Sequence, residues 1–259
     1  MSEASTAARQ QRKSKMLEEE EVASTSARLE GADAEEVIRW ALEHYGDELT
    51  LSVSFGGAEG MVLLDILSRQ MEKTGTDAWV YTLDTGFLFE ATVDYRERVL
   101  ARYPNLKFKV VEPELTVEEQ VRKYGPELWS CAPDLCCQVR KIEPQQRWLS
   151  DFSAWMTGIR REQTTARADT AIVDRDEFFE VDKLAPLAGW SKKDVDDYVE
   201  EHGLELNPLL SQGYKSIGCE PCTRPVSDDE EDYRAGRWSE SGKVECGLHI
   251  VNGKVGRAS

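Results

Sequence analysis

The spacing of apolar residues along the chain switches repeatedly between the period of a helix and that of a strand. Helical spacing covers residues 34–45 and 61–70, the stretch from about 87 to 102, and 116–124. Short apolar runs typical of strands lie at 49–54, 78–83, in LKFKVVEP, at 153–158 and near 178–181. We predict further helices across PDLCCQVRK and over SKKDVDDYVEEHG, the latter with Ser191 as N-cap and Asp194 in the capping-box position.

This alternation predicts an α/β fold with a mostly parallel twisted sheet flanked by helices. Ligands of such sheets bind at the carboxyl ends of the strands. Residues 1–30 are polar, and we expect a mobile or loosely helical segment there. Residues 31–206 form the predicted α/β domain, and 207–259 are a Gly-, Pro- and Cys-rich tail expected to pack over the site.

The charge balance narrows the possible partners. The net charge is −17 and the sequence pI about 4.7, which disfavours a nucleic-acid binder because such proteins present a basic face. The N-terminal residues lack the apolar core of a signal peptide, and no apolar run reaches the length of a membrane helix. We therefore expect a cytoplasmic protein without membrane contact, in which thiols stay reduced.

Two turns follow predicted strands and face the same crevice. The first is SFGGAEG, which includes Ser54, Phe55, Gly56, Gly57 and Ala58. Its glycines would let backbone amides approach an anion at a helix N-terminus, although a plain tight turn explains them equally well. The second is LDTG, Leu83, Asp84, Thr85 and Gly86, where the acidic residue suits a ribose or adenine and also suits a helix N-cap.

Cations concentrate in a few loops of this acidic chain. TGIRREQTTAR brings Gly158, Arg160, Arg161 and Arg167 just past a predicted strand, and RAGRW adds Arg234 and Arg237. Arg140 and Lys141 follow the paired cysteines. Arginine forks match phosphate and sulfate, so these loops predict an anion site rather than ordinary surface charge.

Four of the six cysteines form two close pairs, Cys136-Cys137 and the CxxC of Cys219 and Cys222. Four thiolates can hold a zinc ion or an iron–sulfur cluster, and a CxxC can also form a redox disulfide. Adjacent cysteines reach one small ion poorly, whereas a cluster offers each thiolate its own iron, so we favour a cluster and keep zinc and a disulfide as alternatives.

The remaining cysteines are isolated. Cys246 lies in ECGLH, where His249 could lower the pKa of the thiol or orient an anion. A thiolate beside cations is a nucleophile, although a lone tail cysteine is more often inert. Cys131 has no recognisable partner in the sequence.

Seven segments occur in an order that resembles the assimilatory adenylyl-sulfate reductases of the adenosine-phosphosulfate reductase family. They are SFGGAEG, LDTGFLFEAT, PDLCCQVRK, TGIRREQTTAR, NPLLSQGYKSIGCEPCTRPV, RAGRW and ECGLH, and the likeness covers roughly residues 35–250. The resemblance implies an adenine nucleotide alpha hydrolase-like fold with a flexible C-terminal catalytic tail. It also implies cytoplasmic sulfate assimilation, with dimers or tetramers.

The resemblance further implies a mechanism. Adenine and phosphosulfate would lie across the two turns, with the arginines of both basic loops and His249 around the phosphosulfate. Cys246 would attack sulfur, release AMP and become an S-sulfonate, from which reduced thioredoxin or a glutaredoxin-like protein would release sulfite. Cys136, Cys137, Cys219 and Cys222 would ligate a [4Fe-4S] cluster with Lys141 nearby.

The chain departs from the family pattern at Gly60, where an Asp is usual, and at Ala91, where a Glu is usual. Three alternatives stay open: the same chemistry on 3'-phosphoadenosine 5'-phosphosulfate, an adenylating enzyme of the pyrophosphatase-loop group, and a non-catalytic iron–sulfur regulator. The second would need an SGGxDS-type loop, whose Asp-Ser SFGGAEG lacks. The third leaves ECGLH and RAGRW unexplained.

Overall fold

The computed structural model describes residues 14–227, 229, 230, 232–239, 243 and 248. In this part of the chain the α-helices are α1 (Glu19–Leu29), α2 (Ala34–Tyr45), α3 (Ala58–Thr74), α4 (Glu90–Leu100), α5 (Val117–Tyr124), α6 (Leu128–Cys131), α7 (Pro133–Cys137), α8 (Glu143–Leu149) and α9 (Lys192–Glu201). A π-helical turn, Gln138–Ile142, joins α7 to α8. Short 3-10 helices span Gly46–Glu48, Arg161–Gln163, Thr165–Arg167, Pro208–Gln212 and Glu220–Cys222.

Six strands form one sheet: β1 (Leu49–Ser52), β2 (Trp79–Leu83), β3 (Lys107–Val111), β4 (Ala154–Met156), β5 (Val173–Asp176) and β6 (Val181–Leu184). Their order is β3-β2-β1-β4-β6-β5. Every neighbouring pair is parallel except β5 with β6. The predicted mostly parallel α/β fold is confirmed, and its central strands β2, β1 and β4 end at the same edge.

Helices cover both faces of the sheet. On one face α2 and α3 enclose a large apolar core that includes Ile38, Leu51 and Leu64, all fully buried. On the other face Tyr81 and Trp155 pack against Leu149 of α8. The two-sided burial explains why β4, in the middle of the sheet, is a continuous apolar run, AWM, with all three residues buried.

The expectation for the N-terminal segment does not hold over residues 14–30. Helix α1 lies there, and its Val22 and Leu29 are buried in the main core. The Leu17 amide also donates to the buried carboxylate of Asp182, 2.8 Å away. Two apolar positions among many charges gave too weak a periodic signal for the sequence to predict a packed helix.

The predicted strand near 178–181 is also corrected. Two antiparallel strands, β5 and β6, occupy this region, and the turn between them contains Glu180 at a φ of +55°. The apolar pair Phe178-Phe179 belongs to that turn, and Phe179 packs against Trp155. Charged residues within β5 obscured the alternation that marks a strand.

The predicted capping of α9 is confirmed. The Ser191 hydroxyl accepts from the Asp194 amide at 3.1 Å, and the Asp194 carboxylate accepts from the Ser191 amide at 2.7 Å. Among the helices of the described residues, none combines the length and the apolar character needed to cross a bilayer.

Candidate active site

A cavity of about 220 Å³ opens at the edge where β1, β2 and β4 end. The glycine-rich turn after β1, the LDTG turn after β2 and the loop after β4 form its walls. Residues 216–219 and 233–237 of the tail complete the wall opposite the sheet. The fold thus brings together at one point segments that are far apart in the sequence.

The turn after β1 is shaped by close backbone packing. Phe55 has a φ of +55°, and its ring packs away from the cavity against Tyr95 and Phe108. A Cβ at Gly56 would lie 2.6 Å from the carbonyl oxygen of Ile217, so only glycine lets the tail lie against the turn. Ser54, Gly56 and Gly57 line the cavity, and Ala58 begins α3, whose N-terminal amides favour an anion.

The LDTG turn has two residues that line the cavity and an acidic residue that binds within the turn. Leu83 and Thr85 line the cavity. Asp84 instead accepts from the Gly86 amide at 3.0 Å and pairs with Arg96 at 3.2 Å. Gly86 has a φ of +71° and does not line the cavity. Asp84 therefore shapes the turn, but it is not the helix N-cap that the alternative suggested, because α4 is capped at Phe89.

Three of the five predicted arginines line the cavity, Arg167, Arg234 and Arg237. Arg167 and Arg237 are buried, and the Arg237 guanidinium carbon lies 4.4 Å from the centroid of the Trp238 ring. Lys141 adds a fourth cation to the same cavity. Arginine forks and a lysine around one cavity match the geometry and charge of phosphate or sulfate, so the lining favours an anionic ligand.

Arg160 lies behind the cavity wall and orients a carboxylate. Its guanidinium donates to Glu59 at 3.0 Å and to the carbonyl oxygen of Trp190 at 3.3 Å. Gln163 donates to the same Glu59 oxygen at 3.0 Å. Glu59 and Gly158 line the cavity, and a Cβ at Gly158 would lie 2.9 Å from that of Glu59. Arg160 therefore acts on the cavity through Glu59.

Arg161 does not face the cavity. Its guanidinium donates to both carboxylate oxygens of Glu30, at 2.7 and 2.8 Å, and to the carbonyl oxygen of Thr170 at 2.8 Å. The hydrogen bond from Arg161 lowers the pKa of Glu30. Since Glu30 directly follows α1, this contact belongs to the N-terminal helix whose packing the sequence did not reveal.

A second, smaller cavity adjoins the first, and all four paired cysteines line it. Cys136 and Cys137 come from α7, Cys219 is the N-cap of the 3-10 helix Glu220–Cys222, and Cys222 is its last residue. The tail reaches this place through an isolated bridge between Leu88 and Cys219 and a hydrogen bond from the Glu220 amide to the Phe87 carbonyl, 2.8 Å long. Lys141 and Cys219 line both cavities, so the two share a wall.

The four side chains at this second cavity are thiols, the donor type that an iron–sulfur cluster or a zinc ion takes. None of Cys136, Cys137, Cys219 and Cys222 forms a disulfide. Within the described residues no set of three or more His, Cys, Asp or Glu side chains converges on a common ion position. Burial and the neighbouring thiols raise the pKa of Cys136 to about 12. If these side chains are thiolates, they repel one another, and a positively charged metal group between them would stabilise that form.

Arg140, next to Lys141, holds the cysteine helix in place. Its guanidinium donates to Gln120 at 2.6 Å and to the carbonyl oxygens of Leu115 and Thr116 at 2.9 and 2.8 Å. These bonds tie the π-helical turn to the N-terminus of α5. Arg140 thus has a structural role, whereas Lys141 lines both cavities.

The profile of the phosphoadenosine phosphosulfate reductase domain matches residues 48–225, which contain both turns, the arginine loop and all four paired cysteines. The chain belongs to this family. It is an oxidoreductase that acts on a sulfur group.

Relatives of known name agree with this assignment. An adenosine 5'-phosphosulfate reductase of Halalkalibacterium halodurans is 48% identical over 221 residues, which are 85% of this chain and 93% of the relative. Adenosine 5'-phosphosulfate reductase 2 of Bacillus subtilis is 46% identical over 84% of this chain and 89% of the relative.

Among solved structures, a phosphoadenylyl-sulfate reductase from Candida auris in complex with phosphate matches with a TM-score of 0.69. It is 28% identical, and the match covers 81% of this chain and 98% of that one. The FMN adenylyltransferase of Candida glabrata matches with a TM-score of 0.54 at 13% identity over 86% of this chain and 76% of that chain, a likeness of fold alone.

Four residues join the reductase site although the sequence did not single them out. Glu59, Gln145, Trp155 and Tyr233 all line the first cavity. Burial raises the pKa of Tyr233, and the charge of Glu59 adds to the effect. Glu59 lies within SFGGAEG, and Tyr233 directly precedes RAGRW. Their positions in and next to these motifs are a signal by which the sequence could have indicated both residues. Gln145 and Trp155 carry no such signal, because helix and strand packing alone brings them there.

The C-terminal residues of this reductase are described only in part. Cys246 and His249 lie outside the described residues, as does any contact they make. Lys243, three residues before Cys246, donates to Asp134 at 2.8 Å and to the Pro133 carbonyl at 3.1 Å, both in α7. Leu248 packs against the apolar cluster that contains Tyr81 and Trp155, and it lines the first cavity.

Proposed function

We propose that the protein reduces adenosine 5'-phosphosulfate to sulfite and AMP in cytoplasmic sulfate assimilation, with thioredoxin or a glutaredoxin-like protein as reductant. The observation that carries the proposal is the shared wall between a cation-lined cavity and a four-thiol cavity, with Lys141 and Cys219 in both. The names of the relatives support the unphosphorylated nucleotide as the substrate.

In this proposal the nucleotide lies across the two turns. The amides at the start of α3 and the cations Arg167, Arg234, Arg237 and Lys141 hold the phosphosulfate. Leu83 and Thr85 contact the nucleoside side of the cavity. Arg160 keeps Glu59 in place at the wall, and His249 joins the phosphosulfate contacts. Arg161 is left out of this set because Glu30 holds it elsewhere.

Cys246 is the proposed nucleophile. Its thiolate attacks the sulfur atom of the sulfuryl group, a bond forms between the two sulfurs, and the sulfur–oxygen bond to phosphate breaks. AMP departs with the electron pair of that bond. A thiolate of reduced thioredoxin then attacks the Cys246 sulfur and releases sulfite as a mixed disulfide forms. The second thiol of thioredoxin resolves this disulfide, so two electrons pass from the dithiol to sulfur.

Cys136, Cys137, Cys219 and Cys222 would hold a [4Fe-4S] cluster, since the four thiols line one cavity and a cluster offers each thiolate its own iron. The cluster would supply positive charge that stabilises four close thiolates. Lys141 would place its positive charge next to both the cluster and the substrate, because this side chain lines both cavities.

A second substrate, 3'-phosphoadenosine 5'-phosphosulfate, is favoured by the name of the family profile and by the Candida auris structure. It would need a further cation for its 3'-phosphate. The same chemistry and the same Cys246 would serve either nucleotide, and a homo-oligomer is compatible with both.

Replacing Cys246 with Ser tests the nucleophile. We expect the variant to bind nucleotide and iron like the wild type and to form no sulfite. Wild-type protein incubated with the nucleotide but no reductant should gain the mass of one sulfonate group on Cys246. Cys131→Ser is the matched control, since Cys131 is exposed and lies outside both cavities. Sulfite release by the Cys246 variant at the wild-type rate would refute the assignment.

A further inference from the structure

Gln145 is a fully buried polar residue at the wall of the first cavity, and none of the motifs explains it. It lies in α8, four residues after Lys141, whose side chain lines the same cavity. Gln145 is 0% exposed and Lys141 9%, so the amide is the more buried of the two groups.

One end of the Gln145 amide is fixed. The Tyr81 hydroxyl donates to Gln145 Oε1 at 3.0 Å, and Tyr81 is hydrogen-bonded to Ser52 as well. Because the Tyr81 hydroxyl has a single proton, which goes to Gln145, Ser52 must be the donor in the other bond. This chain of hydroxyls from β1 and β2 orients the amide with its oxygen toward the sheet.

The other end has no partner. Among the described residues nothing accepts a hydrogen bond from Gln145 Nε2, although the atom is buried. A buried donor left without an acceptor costs free energy, and most such groups are satisfied.

We infer that Gln145 Nε2 donates a hydrogen bond to the nucleoside part of the substrate, to a ring nitrogen of adenine or a ribose oxygen. The inference rests on the proposed function. Cations already provide for the anionic groups, and an uncharged amide beside Trp155 matches an uncharged, aromatic ligand part better than a sulfate. Gln145 is thus a specificity residue, and Tyr81 positions it.

The test is the affinity of the iron-loaded protein for AMP and for adenosine 5'-phosphosulfate, measured by calorimetry without reductant. Gln145→Leu should weaken both by the same factor, about three- to tenfold, because both share the nucleoside. Tyr81→Phe should weaken both by a smaller factor. The melting temperature of the nucleotide-free variants is measured alongside, because Gln145→Leu removes an unsatisfied donor and also the acceptor of the Tyr81 hydroxyl.

Gln70→Leu is the matched control. Gln70 is buried in α3, but its amide donates to Glu35 at 2.9 Å, outside the lining of the cavity. This variant should lose stability and keep nucleotide affinity, which separates a ligand contact from a structural role.

Three results would overturn the inference. Unchanged affinities in Gln145→Leu would show that the amide binds no nucleotide. A loss confined to adenosine 5'-phosphosulfate would place the contact at the phosphosulfate. A wild-type protein that binds neither nucleotide would refute the proposed function itself. The first two results, by contrast, would refute only the contact of Gln145 with the nucleoside.

Discussion

The Thr85 hydroxyl lies 3.3 Å from the sulfur atom of Cys219, and both residues are buried. This contact joins the turn that faces the nucleotide cavity to the cysteines of the second cavity. Thr85 also accepts from the Phe87 amide at 3.2 Å, which fixes its side chain. A single threonine thus links the two parts of the proposed site.

Replacing Thr85 with Val should speed the loss of iron. The valine keeps the shape of the side chain but removes the hydroxyl next to Cys219, and hydrogen bonds to sulfur help to hold a cluster's ligands. The measurement is the rate at which a chelator removes iron under anaerobic conditions, followed by visible absorbance. Thr85→Ser retains the hydroxyl and should resemble the wild type. Equal rates in all three proteins would show that the contact has no effect on iron binding.

Replacing Arg160 with Met should lower the free energy of unfolding by about 3 kcal/mol or more, because it leaves the Glu59 carboxylate buried without its ion partner. The side chains of the pair are 4% and 9% exposed, so solvent cannot replace the lost contact. Urea unfolding measures the change. In Arg160→Met/Glu59→Gln the loss should be smaller than in Arg160→Met alone, whereas equal losses would contradict the coupling.

Replacing Gly218 with Ala should weaken binding of adenosine 5'-phosphosulfate more than binding of AMP. A Cβ at Gly218 would lie 2.5 Å from the Arg237 guanidinium carbon and would displace that cation from the cavity. Calorimetry with both nucleotides measures the difference. Gly189→Ala is the control, because nothing lies within 4 Å of a Cβ there. Equal weakening of both nucleotides would indicate that Arg237 does not contact the sulfate.

Arg161 should contribute to stability in a pH-dependent way and not to catalysis. The hydrogen bond from Arg161 lowers the pKa of Glu30 in the folded protein, so the contact stabilises the fold above the unfolded-state pKa of Glu30. That stabilisation is lost as the pH falls through the lowered folded-state pKa. Denaturation of wild type and Arg161→Ala should therefore differ at neutral pH and converge in acid.

The same variant tests the corrected role of Arg161. Its kcat/KM at neutral pH should equal that of the wild type, whereas Arg167→Ala should lose activity. A large loss of kcat/KM in Arg161→Ala would return Arg161 to the substrate contacts that the sequence suggested.

Sequence reasoning found the sheet and the turns because their signals are local. The strand-to-helix alternation around SFGGAEG and LDTG needs only the period of apolar residues, and the structure places both turns at one edge. The pairing of Cys136-Cys137 with the CxxC was predicted from the chemistry of thiolates, and the four residues do share a cavity.

What the sequence could not give depends on contacts between distant segments. Arg160 and Arg161 are neighbours in the chain, yet one holds Glu59 and the other holds Glu30. Only the packing of α1 and the direction of the loop after β4 decide which arginine holds Glu59, the carboxylate that lines the cavity. Gln145 was missed for the same reason, because its role depends on Tyr81 in another element.

The most direct test of the proposed function is sulfite formation by protein purified without oxygen, with reduced thioredoxin and each of the two nucleotides side by side. The account predicts one sulfite per AMP from adenosine 5'-phosphosulfate, and little from the 3'-phosphorylated nucleotide. A preference for the 3'-phosphorylated nucleotide would contradict the proposed substrate but leave the role of Cys246 intact. Absence of sulfite from both nucleotides, in protein that contains iron, would contradict the proposed function.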